Sequence, residues 1–337
     1  MKTRIWLPGT LAAITALALG LSGCSSSATT TSSSSAASGG KTYTIGVAVI
    51  VSHPSLQLVQ QGFEEQLKAD GVNYTLISEN AQGDQSNAAT IASEFAANKN
   101  IDLVLAISTP IALAMATAVQ DRPILFAAVT DPVGAGLVPS WDQAGPNITG
   151  TSDLNPTAKP VDLVLKAKPS AKTIGVLYSS SEPNSQVQVT AYQQQAAAAG
   201  VTLKTQAITS ASDISVGLAA LKGVDALLIP TDNTVIASLS TVIGWGQDKQ
   251  IPVFSADADS VSQGTVAAQG VSYEDLGKQT GAMATQILKD GVNVNTIKPL
   301  AVTDTEMVAN PDAAKTFGLT LPDSFLQNAK IVTTQPS

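Results

Sequence analysis

Short apolar runs alternate with helical patterns along this chain, and that alternation restricts the fold more than any other feature of it. Ile124-Leu125-Phe126-Ala127-Ala128-Val129 is apolar without a period of two, as a strand buried on both faces requires. Pro123 opens the run, Pro132 stops it, and Thr130-Asp131 and a glycine-rich turn follow at its carboxyl end. Upstream, Tyr43 to Val51 reads as a strand with a close-approach position at Gly46. Ser55 to Ala69 reads as a helix carrying Leu56, Val59, Phe63 and Leu67 on one face, closed by Gly71. A strand over Tyr74 to Ser78, a helix over Gln85 to Asn98 and a strand over Ile101 to Ile107 come next. Ser108-Thr109-Pro110 then starts a helix with proline in its first turn. Such alternation builds a parallel sheet covered by helices.

The pattern recurs. Ile45-Gly46-Val47 returns as Ile174-Gly175-Val176, Gly71-Val72 as Gly200-Val201 and Pro123 as Pro252, all at one constant spacing. Ile101 to Leu105 returns as Val224 to Leu228 at a slightly shorter one. The reading is an α/β chain of two doubly wound parallel-sheet lobes joined by a hinge. Lobe one takes residues 41–151 plus 274–300, and lobe two 152–273 plus 301–337. The crossings are expected near Gly150 to Asn155, Gly270 to Glu274 and Leu300 to Thr303.

In open α/β sheets ligands bind outside the carboxyl ends of the strands. Superposing the repeats brings the polar strand-end loops of both lobes into register. His53, Asn80, Thr109, Thr130 and Asp131 are the candidates from lobe one, and Ser180, Asn184, Asp232, Asn233 and Asp257 from lobe two. Each has a plainer reading beside it. Asp131 before Pro132 suits an Asx turn, Thr109 an N-cap, His53 a turn residue, and Asp232 the cap of a helix beginning near Asn233.

Composition narrows the function. The chain has one histidine and one cysteine, so no disulfide forms and no metal-ligand spacing exists. No serine sits in a Gly-x-Ser-x-Gly elbow, which leaves no nucleophilic triad around His53. No enzyme, metal or cofactor is expected. The net charge is −8 with no basic patch, which excludes nucleic acid as a partner. Aromatic residues are 4% of the chain, few for a cleft that stacks sugar rings.

Residues 1–23 read as an export signal: Lys2 and Arg4, then an uncharged apolar run from Ile5 to Gly20. Leu21-Ser22-Gly23-Cys24 resembles a bacterial lipobox, which implies a diacylglyceryl thioether on Cys24. Residues 24–40 are Ser, Thr, Ala and Gly after the cysteine and read as a flexible tether. A lipid, a tether and a folded body describe a protein held at the outer face of the cell membrane.

Four stretches carry a family resemblance. Asn80-Ala81-Gln82-Gly83-Asp84-Gln85-Ser86, Val129 to Val138, Pro230-Thr231-Asp232-Asn233-Thr234 and Tyr273-Glu274-Asp275-Leu276-Gly277 look like ABC-transporter substrate-binding proteins of the tryptophan-binding TrpX type, in order from about Lys41 to Ile331. The resemblance implies the type I periplasmic-binding-protein fold, delivery of a solute to an ABC permease, and an aromatic amino acid as ligand; the chain is expected to be a monomer. Binding of a sugar or nucleoside, or service as a sensory module, are the alternatives. Beyond the signal the chain has one arginine, Arg122, at the wrong end of its strand to reach the cleft. A ligand carboxylate would therefore fall to hydroxyls and the helix start at Ser108-Thr109-Pro110, and an ammonium to Asp257 or Asp232. In a bacterial host, Cys24→Ala should release the protein from membranes or leave the precursor unprocessed. Normal processing with membrane retention would contradict lipidation.

Overall fold

The computed structural model describes residues 41–155, 158–301 and 304–335. The signal, Cys24, the tether, and Val302 and Thr303 of the third expected crossing lie outside the described residues. The first half of the fold runs β1 (Thr42–Val49), α1 (Pro54–Ala69), β2 (Asn73–Asn80), α2 (Gln85–Ala97), β3 (Leu103–Ile107), α3 (Thr109–Ala118), β4 (Ile124–Ala127) and β5 (Ile148–Ser152). Every residue of β3, β4 and β5 is buried, as the unbroken apolar runs of β3 and β4 foreshadow. Strand β4 ends one residue short of the second alanine because Ala128 turns the chain out of the sheet with φ +55°. Gly46 is needed where the ring of Phe95 crosses β1, since a Cβ there would stand 2.7 Å from it.

The second half follows with α4 (Pro160–Ala167), β6 (Thr173–Ser179), α5 (Pro183–Ala199), β7 (Thr202–Ile208), α6 (Ile214–Ala220), β8 (Ala226–Ile229), α7 (Asn233–Ile236), α8 (Leu239–Lys249), β9 (Val253–Ser255), α9 (Asp259–Ser262) and β10 (Ala267–Val271). The chain then leaves for α10 (Tyr273–Leu288) and the short β11 (Leu300–Ala301), and returns for β12 (Thr305–Ala309), α11 (Pro311–Thr316), α12 (Asp323–Leu326) and β13 (Lys330–Ile331).

Three sheets result among the described residues. The first, all parallel, has the order β11-β5-β4-β3-β1-β2, and the second, also parallel, β7-β6-β8-β9. The third joins β10 to β12 antiparallel and β12 to β13 in parallel. Each parallel sheet has its own apolar core. Helix α10 belongs to the first core through Leu276, Met283 and Ala284, although the strand before it packs with the second half. The tail after β12 covers the second core with Phe317, Leu321 and Phe325.

The close fit of α10 on α1 is bought with glycines. A Cβ on Gly62 would lie 2.0 Å from the Glu274 carbonyl oxygen, and one on Gly277 would lie 2.1 Å from that of Val59. Both obstacles are backbone, so neither can swing aside. Gly62→Ala should cost about 1–3 kcal/mol by overpacking, a fall of several degrees in Tm. Gly244, inside α8, has open space around its Cβ position. Gly244→Ala should leave Tm unchanged or raise it, since alanine favours a helix by about 0.4–1 kcal/mol over glycine. Equal effects of the two variants in thermal melts would refute the contact.

Candidate functional site

Because all strands of each parallel sheet run one way, their polar ends collect on one side, and the two collections face each other. Among the described residues, three side-chain hydrogen-bond pairs span the gap. His53 Nε2 lies 3.4 Å from Asn233 Oδ1, Ser55 Oγ donates to Asp257 Oδ1 at 3.3 Å, and the Thr130 and Thr231 hydroxyls are 3.4 Å apart. All are long for hydrogen bonds.

Between the halves lies a cavity in two compartments. The first encloses about 620 Å³ of atom-free space, part of it open to solvent. Its wall is α5 (Val187, Gln188, Ala191, Tyr192, Gln195), the connection after β5 (Leu154, Asn155, Ala158, Pro160) and the end of β10 (Gln269, Gly270, Val271). The second is smaller, about 320 Å³, and more polar, with His53, Ser55, Asn184, Asp232 and Asn233 beside Leu56, Ala128 and Ile236. Thr130, Asp153, Thr231, Asp257 and Tyr273 line both and form the junction.

Four buried or nearly buried carboxylates surround this junction, and they differ in how well they are satisfied. Glu182 accepts from the backbone N–H groups of Asn233 and Thr234 at 3.0 and 2.9 Å and from the Thr234 hydroxyl at 2.8 Å. Asp232 accepts from Ser179 N–H, from the Ser185 hydroxyl at 2.7 Å and from Val235 N–H at 2.9 Å, capping α7. Burial, and then the charge of Glu182, push the Asp232 carboxyl up to about 7. Asp257 accepts from Ser260 N–H and the Ser260 hydroxyl, both at 2.8 Å, besides Ser55. Asp153 is the exception. Its Oδ2 accepts from the Tyr273 hydroxyl at 2.8 Å, while its Oδ1 is buried with no partner. Burial raises the Asp153 carboxyl above its usual range, against the pull of the Tyr273 hydrogen bond. Among the described residues no lysine or arginine lines either compartment. His53 is held below its ordinary value by burial, against the charge of Asp257, so its imidazole is neutral at pH 7, with Nδ1 unpartnered. Among the described residues no group of three His, Cys, Asp or Glu side chains is arranged to hold a metal ion.

Of the residues picked from sequence, His53, Thr130, Asn184, Asp232, Asn233 and Asp257 reach the cavity. Asn80, Asp131 and Ser180 do not, because each side chain is committed to a hydrogen bond elsewhere. Asn80 Oδ1 accepts from Gln82 N–H at 2.7 Å and Asp131 Oδ1 from Gly134 N–H at 2.8 Å, both closing Asx-type turns. Ser180, exposed, donates to the Ile208 carbonyl at 3.1 Å. Thr109 lines neither compartment. Its hydroxyl and that of Ser108 are buried without partners at the start of α3, where Ser108 holds φ +92°. Asp153, Tyr273, Ser55, Thr231 and Tyr192 complete the wall and were not among those candidates. Asp153 and Tyr273 sit on connections between the halves, and an acid directly after a buried strand, Ser152-Asp153, is the signal that marks the first of them.

The family model described as ABC transporter substrate binding protein matches residues 44–333. A tyrosine-binding protein of Clostridioides difficile (strain R20291) is 38% identical over 280 residues, covering 82% of this chain and 81% of the relative. An ABC domain from Streptococcus pneumonia, solved in complex with L-Trp, is 37% identical and superposes with a TM-score of 0.82, over 87% of this chain and all of that one. The ligand-free, open structure of a substrate-binding protein with adhesive properties from Clostridium difficile is 38% identical with the same coverage, yet its TM-score is 0.63.

The raised carboxyls set a pH dependence. Asp232 and Asp259, the latter raised to about 7 by burial and by the charge of Asp257, keep protons in the folded state that the unfolded chain has lost above about 4. Stability is therefore greatest below that window and falls as pH rises toward 7. His53 works in the opposite sense, but only near and below its ordinary 6.5. The Tm of ligand-free protein should drop between pH 5 and 7.5, and by less in Asp259→Asn. A flat or rising Tm across that range would show that these acids are not protonated in the fold.

Proposed function

The chain belongs to the ABC transporter substrate-binding protein family, and on that premise we propose that its cleft captures an aromatic α-amino acid and presents it to a membrane permease. The two doubly wound parallel sheets have the type I periplasmic-binding-protein form. One observation carries the choice of ligand. The junction holds Asp153 and Asp257 together with no lysine or arginine among the described residues that line it, and Asp153 Oδ1 is buried without a hydrogen-bond partner among them. A desolvated carboxylate needs donors or a positive charge. An α-ammonium supplies both, in a position open to both compartments.

The rest of an amino acid then has places to go. The ring enters the first compartment, among Val187, Ala191, Tyr192 and Pro160. The carboxylate enters the second, facing His53 and the start of α1, where Ser55 and Leu56 line the wall. A helix N-terminus has unbonded N–H groups and a positive dipole end, which suits an anion where no arginine is within reach. The names of the relatives, one tyrosine-binding and one solved with L-Trp, support this ligand class.

The two halves act as lobes, 41–151 plus 274–300 and 152–273 plus 301–337, that close on the ligand about the connecting segments. The protein is a monomeric binder and not an enzyme, placed outside the cytoplasm and anchored through lipid on Cys24. The lone His53, tied to a structural neighbour rather than to a nucleophile, supports a binding role.

In thermal-shift measurements tryptophan, tyrosine or phenylalanine should raise Tm, with glucose and ribose inert. Asp153→Asn and Asp257→Asn should each weaken binding by roughly thirtyfold or more, since losing one partner of a desolvated charge pair costs about 2–5 kcal/mol. Asp232→Asn should lower Tm with affinity near that of the parent, because its oxygens already serve the chain's own donors. If both Asp153→Asn and Asp257→Asn bind amino acids like the parent, the ammonium is held elsewhere and the reading fails.

A further inference from the structure

Resting on the reading of the cleft as an aromatic amino-acid site, we propose that Gln269 selects ligands whose ring carries a hydrogen-bonding group, tyrosine and tryptophan, over phenylalanine. Three glutamines line the first compartment, and two are already committed within the chain. Gln188 Oε1 accepts from the Tyr192 hydroxyl at 2.8 Å and from Thr231 N–H at 3.2 Å, and its Nε2 donates to the Thr231 hydroxyl. Gln195 Oε1 accepts from Val161 N–H and its Nε2 donates to the Ala158 carbonyl, each at 3.3 Å, tying α5 to the start of α4. Gln269 has no side-chain hydrogen bond among the described residues.

The backbone fixes where that free carboxamide stands. On β10, Gln269 and Val271 share one face by strand alternation, and both line the first compartment. Ala268, on the other face, packs with Val261 and Val308. Pairing of Gln269 with Met307 across to β12 sets the register. Gly270 holds the strand tight against the segment after β9, where a Cβ would lie 2.9 Å from Ala258 N. Gln269 lines the first compartment and not the second, so it faces the ligand at the end remote from the carboxylate.

As the cleft closes, this carboxamide exchanges water for whatever the ligand offers. A phenol hydroxyl can accept from Nε2 or donate to Oε1, and an indole N–H can donate to Oε1. A phenyl ring offers neither and leaves a buried polar group unpaired, the situation in which a site discriminates most strongly against an analogue lacking one polar group. The apolar part of the wall, Val187, Ala191 and Pro160, accepts all three rings and cannot make that distinction.

Calorimetric titration of the lipid-free mature chain, its Gln269→Leu and its Gln269→Met with tyrosine, tryptophan and phenylalanine tests this. The parent should bind tyrosine at least about tenfold tighter than phenylalanine, the equivalent of one unpaired polar group. In both variants that ratio should shrink to within about threefold, with phenylalanine affinity kept or improved, which also shows that the variants fold. A tyrosine preference that survives both substitutions, or none in the parent, overturns the role of Gln269 and leaves the amino-acid reading standing. Failure of the parent to bind any of the three overturns both.

Discussion

A carboxylate taken out of water must be given donors or a cation, and the organisation of this cleft follows from how its acids meet that demand. Glu182 and Asp232 are met in full by N–H and hydroxyl groups at the beginning of α7 and at the end of β6. They act as pins that hold the strand-end loops of the second half in one shape. Asp257 is met by Ser260 on its own half and by Ser55 on the other. Asp153, on the connection leaving the first sheet, is met on one oxygen only. Satisfaction thus declines toward the junction, and it is lowest at Asp153. The raised Asp153 carboxyl is the same fact seen as a proton equilibrium: without a cation the group is pushed toward its neutral form.

The contacts that bridge the halves are correspondingly slight. Three side-chain pairs at 3.3 to 3.4 Å, in a protein whose interior bonds at the same loops run near 2.8 Å, contribute little to holding the cleft shut. A two-state opening needs a small difference between its end states, so that a ligand touching both sides can decide between them. Stronger bridges would close the cleft with nothing inside it, and a fully satisfied junction would have no use for an ammonium. The rigid parts lie elsewhere: α10 is locked against α1 through Gly62 and Gly277, although it enters directly from the end of β10. Asp153 and Tyr273, on two of the segments that connect the halves, are joined by the 2.8 Å bond at the junction.

How far the sequence announced this depends on what kind of information each residue carries. Buried strands announce themselves, because Ile101 to Ile107 and Ile124 to Ala127 have no polar residue to place outside except at their ends. Pro110 and Pro183 mark helix starts by the same local logic. The site was half legible. Strand-end position found Thr130, Asp232, Asn233 and Asp257, but the same criterion admitted Asn80 and Asp131, whose short side chains fold back on their own turns. Position alone cannot tell an Asx turn from a ligand contact, since both want a short polar side chain after a strand. Asp153 escaped for the opposite reason. It stands in a crossing segment, where a polar residue looks like ordinary linker, and only the approach of Tyr273 from a different crossing, far along the chain, turns it into a site residue.

The division of the cavity between the halves has a consequence for selectivity. The wall of the first compartment comes from α5, from the connections and from β10, and the first half adds little beyond Thr130. The second compartment takes His53, Ser55, Leu56 and Ala128 from the first half. An α-amino acid presents the same ammonium and carboxylate whatever its side chain, so under the proposed placement of the ligand the first half would meet its invariant part while the second half and the connections would read the variable part. Side-chain preference can then change by substitution on α5 and β10 without disturbing the groups that drive closure. The uncommitted carboxamide of Gln269 stands on a strand whose other side chains, Ala267, Ala268 and Val271, are the ones packed into the cores.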